Sequence, residues 1–183
     1  MWRLFLSQWV TRDTLPLVQG RRIGYSDCLS DYERSERARM KAITVMQPYA
    51  ELIISGEKLV ENRTWATAYR GPLLIHAGKS EEWLSTYDPL PDHMEFGAII
   101  GVCMLVDCVR ERDIHHPYPR SDLAYLRNHP HVEGPYCWIL REARRFQKQI
   151  LFRGYQKLWE VFLDRQQPSE YLVAKELRLA GWI

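Results

Sequence analysis

The sequence predicts an α+β fold, mostly β, built as a small mixed or antiparallel β-barrel flanked by short helices. Three observations predict it. Apolar runs of strand length, Ala42 to Met46, Leu73 to Ala77 and Phe96 to Val109, are punctuated by turn residues such as Tyr69-Arg70-Gly71-Pro72. Gly97 and Gly101 fall inside the longest run, where small barrels bend or bulge to turn a corner. Helix signals are brief: Gln47-Pro48 opens one segment, Pro168 opens the last, and a third lies near Asp122 to Arg127.

The first 39 residues end in the charge-dense run Asp31 to Arg39, the composition of a solvated helix face or a linker. Met40 stands directly before the first strong strand. Residues 1–39 therefore read in two ways: as sequence upstream of a true start at Met40, or as an N-terminal extension whose Trp2, Leu4, Phe5, Trp9 and Val10 pack on a domain at 40–183. In the first helix Ala50, Leu52, Ile53 and Ile54 form the apolar face, and Gly56 ends it as a left-handed cap.

Strand alternation puts Leu74 and His76 on one face and Leu73, Ile75 and Ala77 on the other. From Arg110 to Gly134 the chain turns polar, with Pro117, Pro119 and Pro130, and reads as an inserted loop rather than core. Tyr136 to Leu140 and Phe146 to Phe152 read as two strands, and Leu158 to Val161 as a further short one. In the final helix Val173, Leu177 and Ala180 recur at i, i+4 and i+7, with Leu172 and Leu179 flanking them.

A chain of 183 residues suits one domain with an appendage, and at that length roughly 70% of the unfolded surface is buried on folding. The formal net charge of +2 excludes a globally basic coat protein, so any nucleic-acid contact rests on a local patch. Cys28, Cys103, Cys108 and Cys137 lack the spacing of a zinc ribbon, and three lie in apolar runs. They read as reduced core residues. Arg3, Gln8, Arg12 and Asp13 interrupt the first apolar residues too early for a secretory signal. No stretch approaches the ~20 apolar residues of a membrane span, so a soluble cytoplasmic protein without a membrane partner is expected.

Several motifs, taken together, carry a family likeness. They are Ile43-Thr44-Val45 with Gln47-Pro48-Tyr49-Ala50, then Gly56-x-Lys58-x-x-Glu61-x-Arg63, then Tyr69-Arg70-Gly71-Pro72 leading to Ile75-His76-Ala77. Later echoes are Phe96-Gly97, Cys103 to Cys108, Gly134-Pro135-Tyr136-Cys137-Trp138 and Gly154 to Trp159. In these residues the chain resembles an ASCH domain of the PUA-like superfamily, over about two-thirds of its length. The resemblance implies a PUA-like barrel with a cleft where the helix meets the G-x-K-x-x-E-x-R strand. It implies binding of RNA or a nucleotide-like ligand, such as a modified nucleoside; some relatives hydrolyse the amide of N4-acetylcytidine and others are described as ribonucleases.

Within that cleft Lys58 is expected to be partly desolvated and lowered in pKa, able to act as a base or to bind phosphate. Period-two geometry places Glu61 and Arg63 on the face opposite Val60, so Glu61 can hold either cation or accept a proton. The bland alternative is a surface salt bridge worth ~0–1 kcal/mol. Amidohydrolase relatives carry threonine where this chain has Glu61, and Thr64 is out of register by one residue, so direct transfer of that mechanism is weakened. Such relatives also take a glutamate from the loop after the long strand. Of Glu111, Asp113, Asp122 and Glu133, the last is preferred because it adjoins Gly134.

The catalytic candidates are therefore Lys58, Glu61 and Glu133, and the ligand-binding candidates Lys58, Glu61, Arg63, Trp65, Tyr69, His76 and Lys79. Tyr49 and Trp138 are further aromatic candidates, with Trp138 read as core. His115, His116, His129 and His131 gather in the polar loop, but no cysteine and no fixed helical spacing joins them. Neither a metal nor a cofactor is expected. Arg141, Arg144, Arg145, Lys148 and Arg153 give the Phe146 region a positive edge, which suits either a phosphate backbone or an ordinary solvated strand. Hydrolysis of a modified cytidine amide or of RNA, and a protein-interaction role for the cleft, stand as alternatives.

Overall fold

A computed structural model of the chain describes residues 17–18, 21–22, 39–118, 120–163 and 167–183, and the chain divides into two units between Arg39 and Met40. In the first, β1 (Leu17–Val18) pairs antiparallel with β2 (Arg21–Arg22). The expectations for Trp2, Leu4, Phe5, Trp9, Val10 and Cys28, and for the charged run up to Ala38, lie outside the described residues.

The second unit is a six-stranded sheet with a few short helices. In chain order its elements are β3 (Arg39–Val45), α1 (Tyr49–Ser55), β4 (Val60–Arg63), β5 (Gly71–Ala77), β6 (Ala98–Arg110), α2 (Glu111–Ile114), β7 (Tyr136–Leu151), β8 (Leu158–Phe162) and α3 (Pro168–Leu179). Short 3₁₀ turns occupy Leu84–Thr86 and Ser121–Leu126. The strand order is β4-β7-β6-β5-β3-β8. β3 and β5 run parallel, while β5/β6, β6/β7 and β4/β7 are antiparallel. The fold is thus α+β and mostly β, as the sequence predicts. The sheet is barrel-like but open, with β4 and β8 at its edges.

Alternation along β5 divides the core as expected. Leu73, Ile75 and Ala77 pack with Ile43, Ile53 and Trp138 on one face, and Leu74 with Ile99, Phe146 and Trp159 on the other. Each leucine, isoleucine or phenylalanine among them contributes about 1.5–3 kcal/mol on burial. Gly101 lies at a register shift of β6 against β7. A Cβ there would stand 2.4 Å from the Arg144 carbonyl oxygen and 2.7 Å from Ile54 Cδ1, so its absence lets α1 and β7 close on β6.

Three expectations need correction. The two strands read between Tyr136 and Phe152 are one continuous strand, β7. The charged run Arg141 to Arg145 does not break it, because pairing with β6 satisfies the backbone whatever side chains point outward. Glu142, at φ 53°, and three register shifts against β6 absorb the bend. The segment Arg110 to Gly134 is not merely a loop: Ile114, Leu123, Leu126 and Val132 are buried with Val60, Cys137 and Ile139 in a third core cluster. Its sparse apolar residues converge through short turns that carry no long periodicity. In α3, Val173 and Leu177 are buried as predicted, but Ala180 lies just past the helix, and Glu170, Ala174 and Glu176 complete the inward face. Glu176 earns that position by accepting the Gln147 backbone N–H at 2.7 Å.

Cys103 and Cys137 are buried and Cys108 half-buried, all three as free thiols. Burial pushes the Cys103 thiol up to about 12 and that of Cys137 to about 11. Among the described residues, no helix is long and apolar enough to cross a membrane.

Candidate functional site

The site begins with how α1 is pinned. Gln47, fully buried, donates from Nε2 to the Glu95 carbonyl at 2.8 Å and accepts the Glu51 N–H on Oε1 at 3.0 Å. Gly56 ends the helix at φ 87°, a conformation that costs glycine little. The Lys58 N–H then returns to the Leu52 carbonyl at 2.8 Å. This turn carries the Lys58 side chain inward, where only 3% of it is exposed.

The Lys58 ammonium donates to the Val60 carbonyl, lies 3.5 Å from Glu61 Oε2 and stands 5.4 Å from the centre of the Tyr49 ring. Glu61 is also buried, and its Oε1 accepts from Arg63 Nη2 at 2.9 Å. The same Nη2 donates to the Thr44 carbonyl of β3 at 2.8 Å. Burial holds the Lys58 amine below its ordinary value, and the Glu61 carboxylate works against that shift.

Asn62, between them on β4, also borders the cleft but bonds to the loop before β7. It donates to the His131 carbonyl at 2.9 Å and accepts the Glu133 N–H at 3.2 Å, tying the loop before β7 to the cleft. The result is a cavity of about 300 Å³ whose wall includes Tyr49, Lys58, Glu61, Arg63, His131 and Glu133. Tyr49 meets Tyr87 edge-on at 6.2 Å, and Tyr87 stacks on His131 at 6.3 Å. Burial, then the nearby Lys58 charge, lowers the His131 imidazole. Burial, Glu133 and Tyr87 raise the Tyr49 phenol.

Beside this cleft lies a larger groove of about 1150 Å³. Thr44, Met46 and Arg63 border both. Trp65, His76 and Lys79 line the groove rather than the cleft. Trp65 packs edge-on against the fully buried Trp138 at 4.7 Å. His76 is buried and approaches the Phe152 carbonyl through Nε2 at 2.9 Å; because a carbonyl only accepts, Nε2 carries the proton.

The structure therefore brings Lys58, Glu61, Arg63 and Glu133 around one cavity and sets Trp65, His76 and Lys79 in the next. Tyr69 borders neither: its hydroxyl donates to the Pro72 carbonyl, and its ring packs on the core. Through that hydrogen bond Tyr69 braces the start of β5. Of the other loop carboxylates, Glu111 pairs with His115 at 3.5 Å and Asp122 with Arg120 at 2.7 Å, and neither borders the cleft. His129 and His131 stand 5.6 Å apart. Among the described residues no three His, Cys, Asp or Glu side chains are grouped to hold a metal ion. Arg145, read as part of a positive edge, pairs with the buried Glu51.

Sequence reasoning missed Thr44, Asn62, Trp83 and Tyr87 as residues near the cleft, and placed His131 only among the loop histidines. Nothing local marks the first four. His131 carried one signal, its position two residues before Glu133.

The ASCH domain profile matches residues 43–161, a span that contains the cleft and its neighbouring groove. The chain belongs to the ASCH domain family, which is linked to RNA binding. This ASCH domain is 26% identical over 133 residues to activating signal cointegrator 1 of Homo sapiens, a match covering 65% of this chain and 22% of that protein. The Mus musculus protein of the same name matches to the same extent. The chain thus spans about a fifth of the length of the curated relatives it matches. The crystal structure of ASCH from Zymomonas mobilis aligns with a TM-score of 0.44 at 20% identity, over 74% of this chain and 94% of that one.

Proposed function

We propose that this ASCH domain binds RNA or a nucleotide-like ligand in the cleft formed by Gly56-x-Lys58-x-x-Glu61-x-Arg63. The observation that carries the reading is the Lys58–Glu61–Arg63 network on one side of a cavity bordered by Tyr49 and His131. A cavity of about 300 Å³ is at the small end of ligand pockets and suits one base or nucleoside. Lys58 and Arg63 supply donors for carbonyl or phosphate oxygens, Glu61 an acceptor for an exocyclic amine, and Tyr49 an aromatic face. The three free thiols fit a reducing compartment such as the cytoplasm.

Titration with short RNAs and modified nucleosides tests the reading. Binding that Lys58→Ala weakens about tenfold, equivalent to ~1.4 kcal/mol, is the expected result. Absence of any binding that depends on Lys58 sinks it.

A second reading, a hydrolase acting on a modified cytidine amide or on RNA, draws support from one feature. Lys58 is buried with a lowered pKa, and Glu133 borders the same cavity, an arrangement able to take up and pass on a proton. Glu61 supplies no hydroxyl nucleophile. Chromatography after incubation with N4-acetylcytidine at high protein concentration separates the two readings, since unchanged substrate eliminates the amide activity.

A further inference from the structure

We infer that the ligand of the cleft is one nucleotide of a single-stranded RNA, whose neighbouring phosphates follow the larger groove past Lys79, Arg153 and Lys157. This rests on the nucleobase reading of the cleft and extends it. The cleft and the groove share Thr44, Met46 and Arg63 as wall, so an occupant of one leads directly into the other. A nucleoside has no use for a second space of about 1150 Å³, whereas a strand needs one.

Charge supports the same conclusion. Among the described residues lining the groove, every Lys, Arg, Asp or Glu is basic: Arg63, Lys79, Arg153 and Lys157. With a net charge of only +2 over the whole chain, such a one-signed lining is a local concentration of the kind a phosphodiester backbone requires. At the junction, Arg63 borders both spaces and is held in place by Glu61 and the Thr44 carbonyl. Tyr155, 50% exposed with the Arg153 guanidinium 5.4 Å from its ring centre, offers a face on which an unpaired base can stack. A duplex hides its base faces, so that ring favours a single strand.

The segment carrying these residues is held in place. Thr44 Oγ1 donates to the Tyr155 carbonyl at 3.0 Å, and His76 Nε2 to that of Phe152 at 2.9 Å. Arg153 and Lys157 are thereby presented by a braced turn between β7 and β8.

Fluorescence titration tests the inference with a mixed-sequence RNA of about 12 nucleotides, within the usual single-strand site size, against the four nucleoside 5′-monophosphates. Wild type and the double variant Arg153→Gln/Lys157→Gln are compared between about 50 and 200 mM salt. Both side chains are exposed, so the variant folds. The strand is expected to bind at least about tenfold tighter than any mononucleotide, roughly 1.4 kcal/mol. In the variant that ratio collapses, and the plot of log affinity against log salt flattens by about 1.4, the single-strand value for two phosphate contacts. Equal affinities for strand and mononucleotide, or a variant that binds RNA with wild-type affinity and slope, overturn the strand inference and leave the cleft reading standing. Failure of every probe to bind overturns both.

Discussion

Lys58 and Glu61 form a buried ion pair, 3.5 Å from Nζ to Oε2, whose carboxylate is shared with Arg63 at 2.9 Å. One acid therefore balances two cations, and Glu61 is the member whose loss leaves most charge unpaired. Glu61→Gln is expected to destabilise the protein by about 3 kcal/mol, because breaking a buried pair strands the partner's charge. Urea unfolding measures it. A loss within about 0.5 kcal/mol, the range of ordinary surface substitutions, refutes the view that the network holds the cleft together.

The lowered pKa of Lys58 gives stability an alkaline signature. Burial is the chief cause, so the unfolded chain keeps this proton at pH values where the folded chain has released it. Stability attributable to Lys58 then rises with pH from its folded value towards the usual lysine value of about 10.4. Unfolding free energies of wild type and Lys58→Met, compared from neutral pH to that limit, should diverge with wild type gaining. Parallel curves contradict it.

The cleft was legible where its parts are neighbours in sequence. Gln47-Pro48, the Gly56 cap and the alternation of Glu61 and Arg63 around Asn62 are local patterns, and the structure places these residues as those patterns predict. What stayed hidden arrives by long-range pairing. Thr44 reaches Arg63 from β3, Tyr87 and His131 meet at Tyr49 from separate loops, and the Phe152 to Lys157 turn reaches the groove because β7 runs unbroken to Leu151. The charged middle of β7 concealed that length. Its outward residues obey solvent, while its strand state is dictated by β6.

Gly154 is the point where that turn closes on the sheet. A Cβ there would lie 2.4 Å from His76 Cε1, 2.6 Å from Nδ1 and 2.7 Å from Thr44 Oγ1. Gly154→Ala is expected to destabilise by about 1–3 kcal/mol, the usual range for overpacking, and to loosen the Thr44 to Tyr155 hydrogen bond. Chemical unfolding gives the magnitude; Gly154→Ala combined with His76→Ala should recover part of it, and a double variant with strictly additive losses argues against this contact.

The histidines add an acid limit. His76, His129 and His131 are all lowered, with burial the leading cause in each. As pH falls below about 6.5, the usual histidine value, the unfolded chain gains these protons while the folded chain still resists them. Stability therefore declines with falling pH until the folded values are passed, by at most about 1.4 kcal/mol per pH unit for each histidine titrating in one state only. His76 should dominate, since its Nε2 proton is committed to Phe152 and its Nδ1 is buried without a partner. Unfolding free energy measured from about pH 7.5 to 5.5, above the ordinary carboxylate range, should fall in wild type and fall less in His76→Gln. An identical slope in the two proteins assigns the acid sensitivity elsewhere.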